Sequence, residues 1–111
     1  MNELKATAGP WFADRDGRIW RRHPDELYEN GGGVAGDRPV ASAHVGWYGE
    51  DVQGYPADAN AALIAAAPEI DKSLLTMCNL WVSVCNAQGW APDHVVQYGE
   101  ALAALKKARG E

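Results

Sequence analysis

From Ile70 onward the apolar positions recur with helical spacing. Ile70, Leu74, Met77, Cys78, Trp81 and Cys85 fall on one stripe, which Leu75 and Val82 widen. A second stripe, Val95, Tyr98, Leu102 and Leu105, advances by alternating three and four residues. Pro68 and Pro92 suit the first turns of these two helices, and Gly89 suits the position just past the first. Asp93 at the start and Lys106, Lys107 and Arg109 at the end of the second complement its dipole. The short join at Gln88–Pro92 predicts an antiparallel helical hairpin. A shorter helix over Ala57–Ala67, with Asp58 in its first turn, is expected to precede it.

The first half carries a different pattern. Asp14-Arg15-Asp16-Gly17 lies between the aromatic-containing runs Pro10–Ala13 and Arg18–His23, which predicts a β-hairpin. A short strand at Glu26–Tyr28, a loop over Gly31–Asp37 and a strand within Pro39–Tyr48 are expected to follow. Nine of the twelve glycines precede Pro56, whereas the remainder of the chain is rich in Ala and Leu. The fold class expected is α+β: a small N-terminal antiparallel sheet of three or four strands packed on a C-terminal helical hairpin preceded by a short helix. With 111 residues, a single domain over 1–111 is expected, β-rich over 1–56 and helical over 57–111.

Composition narrows the function. Fifteen acidic against ten basic residues give a net charge of −5, which disfavours duplex DNA and anionic membranes as partners. The longest largely apolar run, Leu74–Cys85, is far short of the ~20 residues that span a bilayer. Met1–Lys5 has no apolar signal region, so no secretory signal is expected. Cys78 and Cys85, seven apart on one helix, lie roughly 10 Å apart along its axis, too far for a mutual disulfide. They read as buried thiols; a cross-chain pair at a helical interface is the sharper alternative. His23, His44 and His94 are scattered and no Cys-x2-Cys occurs, so neither metal nor cofactor is expected. Gly31–Gly36 matches G-x-G-x-x-G, but no helix follows it, which makes it a loop rather than a phosphate cradle.

The densest polar constellation is Arg15, Arg18, Trp20, Arg21, Arg22 and His23, with Trp47 and Tyr48 as further candidate ligand contacts. Guanidinium forks suit phosphate and carboxylate and stack on aromatic rings, so a nucleotide or acidic ligand is chemically sensible there. The alternative is an exposed hairpin whose arginines pair with Asp14, Asp16, Asp25 and Glu26. Strand alternation also divides the group, sending Arg18, Trp20 and Arg22 to one face and Arg21 and His23 to the other. Among the tryptophans, Trp11 and Trp81 are expected in the core and Trp47 and Trp90 at edges. No Ser, Cys or Lys has a local partner of catalytic type.

Lys5-Ala6-Thr7-Ala8-Gly9-Pro10-Trp11 resembles the ATPGPW opening of small tailed-phage and prophage proteins, and Ala59–Glu69 resembles their ANARLIAAAPEL segment. In these two segments the chain is similar to the Ead-like phage early proteins. Ala8 stands where that motif has proline, and Ile70-Asp71 where a Leu-Leu pair is common. The group has no established catalytic residues. The resemblance implies burial of Trp11 against Leu63 and Ile64, and a protein made inside an infected or lysogenic bacterium. A non-enzymatic accessory protein that captures a host protein or a small nucleotide signal fits best. A nucleic-acid-binding regulator and a small enzyme are the alternatives. The helices over 68–108 carry more apolar circumference than one small sheet covers, so a homodimer or higher oligomer is expected.

Overall fold

The hairpin forms where the Asp-Gly signal places it. In the computed structural model, which describes residues 1–21, 38–44 and 56–111, β1 (Phe12–Ala13) and β2 (Arg18–Trp20) pair antiparallel across Asp14–Gly17. Gly17 adopts φ +81°, a backbone region that glycine enters without a Cβ penalty. A third strand, β3 (Ala41–Ser42), pairs antiparallel with β2, giving the order β1-β2-β3. Backbone N–H groups of Val40 and Ala43 donate to the carbonyls of Ile19 and Gly17 and extend this pairing. The expected strand at Glu26–Tyr28, the loop at Gly31–Asp37 and the stretch from Val45 to Tyr48 lie outside the described residues.

Pairing puts Ala13, Ile19 and Ala41 in line on one face. Helix α1 (Ala57–Ala65) packs against β1 and β2. Ile19 is fully buried and Ala61 nearly so, and the small Ala61 side chain permits close approach. Here the expectation for Trp11 is corrected. Its ring is half-buried, with the indole N–H donating to Thr7 O at 3.1 Å, while Leu63 is 66 % exposed. Among the described residues of the sheet and α1, Ile19 and Ala61 are the buried hydrophobic positions. Gly9 lies so close to Pro68 that a Cβ there would come within 2.6 Å of the proline Cβ. The two segments that carry the phage resemblance therefore touch.

Helix α2 (Ala67–Gln88) begins after one intervening residue, Ala66, one position ahead of the expected Pro68 start. Proline has no N–H to donate four residues back, and this separates α1 from α2. Gly89, at φ +73°, terminates α2, and Trp90 N–H donates to Cys85 O as in a Schellman cap. Pro92–His94 then forms a 3₁₀ turn, Val95 is extended, and α3 runs over Val96–Ala108. The third helix therefore starts later than Pro92 predicts. The Pro92 carbonyl, which a continuous helix would give to residue 96, instead accepts the Trp81 indole N–H at 2.9 Å.

Cys78 and Cys85 on α2 and Leu105 on α3 are buried, with Tyr98 and Leu102 half-buried. Arg109 forks onto both Asp71 carboxylate oxygens at 2.9 and 3.2 Å and also donates to Leu105 O, tying the end of α3 to the start of α2. Both cysteines are buried, as expected. The apolar stripe on α2 needs correction: Ile70 is 50 % and Met77 61 % exposed, because the covered face is centred on Cys78 and Cys85. The described residues divide into two compact units, Thr7–Pro68 and Met1–Ala6 with Glu69–Glu111. The fold class is α+β.

Candidate functional site

One carboxylate builds the hairpin tip. Asp14 Oδ1 accepts the backbone N–H groups of Asp16 at 2.9 Å and Arg18 at 3.0 Å, and Oδ2 accepts the Trp20 indole N–H at 2.8 Å. The Asp14 N–H in turn donates to Arg18 O at 2.9 Å. Partial burial pushes the Asp14 carboxyl upward. The hydrogen bonds from Trp20, Arg18 and Asp16, with the Arg18 charge, outweigh that burial and hold it below the ordinary carboxylate value. Asp14 is therefore an ionised acceptor with its oxygens engaged, not a proton donor at neutral pH.

Around this clamp, Arg15, Asp16 and Arg18 are exposed. Arg18 Nη1 stands 4.0 Å from Asp16 Oδ2, with both side chains more than half exposed, so the pair is held loosely. Arg21 is exposed directly after β2. Trp20 is half-buried and its one donor is committed to Asp14, which leaves it as a fixed aromatic surface. Three arginines against two aspartates give the described tip a local excess of one positive charge. Of the expected site residues, the structure groups Arg15, Arg18 and Trp20 around Asp14. Arg22, His23, Trp47 and Tyr48 lie outside the described residues.

Beside the sheet, Ala43, His44, Asn60, Leu63 and Ile64 line an open depression of about 360 Å³ between the end of β3 and α1. Its lining is mainly apolar, with His44 and Asn60 supplying polar groups. No local sequence signal announces it, because its lining comes from residues far apart in the chain. The same holds for an aromatic cluster at the α2–α3 turn. There the Trp81, Trp90 and His94 rings lie 5.9 to 6.4 Å apart by centroid. His94 Nδ1 lies 2.8 Å from Ala91 O, which can only accept, so the proton sits on Nδ1. The run from Trp90 to His94 signalled a helix start, but nothing local announced that Trp81 would reach it.

The arrangement suits holding an anionic or amphipathic surface. Cys85 is fully buried, and burial raises its thiol pKa, which keeps it protonated and poorly nucleophilic. Among the described residues no group of three or more His, Cys, Asp or Glu is placed to hold a metal ion. Among those residues, too, no helix is long and apolar enough to cross a membrane.

These elements define an α+β protein whose small sheet is backed by a short helix and whose aspartate-clamped hairpin displays arginines. The chain belongs to the family of Salmonella phage P22 protein Y8K6, the family model matching residues 1–111. No curated protein and no solved structure matches it.

Proposed function

We propose that the protein is a non-enzymatic phage accessory protein that works by capture, and that its hairpin face is the capturing surface. The observation that carries this is the Asp14 clamp. It fixes a tip at which Arg15 and Arg18 remain exposed beside an indole whose orientation is set. Preorganised guanidinium groups lose less freedom when they meet a carboxylate or phosphate. The neighbouring depression is open rather than enclosed, which favours a host protein surface over a small nucleotide signal. Counter-defence in the bacterial cytoplasm is the role this reading assigns, supported by the phage family. Kinship with the Ead-like group is a narrower proposal, supported by the Gly9–Pro68 contact between its two motifs.

The test is gentle capture of the tagged full chain from host cells, followed by mass spectrometry of what accompanies it. A partner lost from the Arg15→Glu/Arg18→Glu variant, with helicity intact, supports the reading. Equal recovery with both proteins removes the hairpin from it, and a small molecule recovered chemically altered points to an enzyme instead.

A further inference from the structure

Helix α2 is 22 residues long, about 33 Å, and its covered face runs through Cys78 and Cys85 with Leu75 and Val82 beside them. Away from that face lies a second apolar stripe. Ile70, Met77, Leu80 and Val84 are 50, 61, 56 and 41 % exposed, and Ser73 and Ala87 on the same line are exposed as well. The six positions advance by steps of three and four, the heptad spacing of a coiled-coil seam. The contact with α3 uses the other side of the helix and leaves this seam uncovered.

We propose that the seam is where the α2 helix of a second copy lies antiparallel, related by a two-fold axis between Met77 and Leu80. The register argues for this occupant. Such an axis sets Ile70 opposite Ala87 of the second copy, Ser73 opposite Val84, and Met77 opposite Leu80, so both short side chains meet long ones. A parallel pair would instead stack Ser73 on Ser73 and Ala87 on Ala87, burying hydroxyl groups and leaving voids. Charge agrees. The charged residues of α2 are Glu69, Asp71 and Lys72, all near one end, and Asp71 is held by Arg109. An antiparallel pair keeps the two copies of Glu69 apart, places each near an uncharged Gln88, and opposes the helix dipoles favourably. It is also an isologous contact that closes on two copies.

Area sets the strength. The four large side chains leave on the order of 400 Å² of apolar surface per chain, the size that marks association sites. Pairing over this length buries about 1,000 Å² in total, the lower end for specific interfaces, so the dimer is weak and reversible.

Sedimentation equilibrium of the full chain from about 1 to about 500 µM tests the seam. A monomer–dimer equilibrium in the micromolar range is expected, with Leu80→Glu raising the dissociation constant by roughly a hundredfold. Leu80 is more than half exposed, so helicity should be unchanged in that variant. A monomer throughout the range overturns the proposal, and so does a dimer that Leu80→Glu leaves intact. Orientation is tested separately by mild oxidation. Ser73→Cys/Val84→Cys should give covalent dimers and Ser73→Cys alone should not. Equal cross-linking by the single variant, or none by the double, overturns the antiparallel register.

Discussion

At the scale of single residues, Asp14 accepts three hydrogen bonds through one carboxylate. Replacing it with Asn keeps the shape but removes the charge and gives one of three donors an NH₂ group to face. Asp14→Asn should therefore cost about 1–3 kcal/mol in urea unfolding. The same residue fixes a pH response. Its folded pKa lies below its unfolded one, so as pH falls the unfolded chain takes up the proton first. The stabilisation is complete above the ordinary carboxylate value of about 3.9 and is lost as pH drops through the lower folded value. Titrated unfolding should show the wild type losing stability below about pH 4 more steeply than Asp14→Asn does. Gly17 offers a comparison of a different kind. Gly17 and Gly89 both have positive φ, but a Cβ at Gly17 would lie 2.9 Å from Ala43 O, whereas Gly89 faces open space. Gly89→Ala should cost about 1 kcal/mol from backbone strain alone, and Gly17→Ala should clearly exceed it.

Between elements, the Arg109–Asp71 pair holds the open ends of α2 and α3 together. Their side chains are 5 % and 15 % exposed, so removing one partner strands the other in a largely dry setting. Arg109→Ala should lower stability by about 3 kcal/mol, and Arg109→Met/Asp71→Leu should recover most of that loss, as read from thermal midpoints. This contact also marks the limit of what the sequence discloses. Asp14-Arg15-Asp16-Gly17 announced its hairpin because turn chemistry is local, and Pro68 and Gly89 placed the helix ends to within a residue for the same reason. Arg109 read only as a dipole partner because its carboxylate lies 38 positions away. The stripe on α2 was legible as a period but not as a direction. Apolar residues nearly encircle that helix, and only tertiary packing decides that Cys78 is covered while Met77 is not. Trp81 reaching Pro92, and the delayed start of α3, belong to the same tertiary layer.

For the molecule as a whole, the sequence showed the arginine-rich hairpin and the surplus of apolar circumference. It did not show Asp14 as the organiser of the first or the Ile70–Ala87 line as the focus of the second. That surplus leads to a prediction made by mass action. If two folded chains associate through α2 and unfolded chains do not, folding is linked to concentration. Above the dissociation constant, each tenfold increase in protein stabilises a protomer by about 0.7 kcal/mol, half of the tenfold term for the pair. For a chain of this length that raises the unfolding midpoint by about 3–5 °C per decade of concentration. Calorimetry of the wild type should show this drift at tens to hundreds of micromolar. Leu80→Glu should unfold at a concentration-independent midpoint close to the wild-type value at high dilution, since its site is exposed and its own helix is unaffected. A drift of equal size in both proteins would place the self-association elsewhere, and a flat midpoint in the wild type would mean that the exposed line on α2 does not serve a second copy.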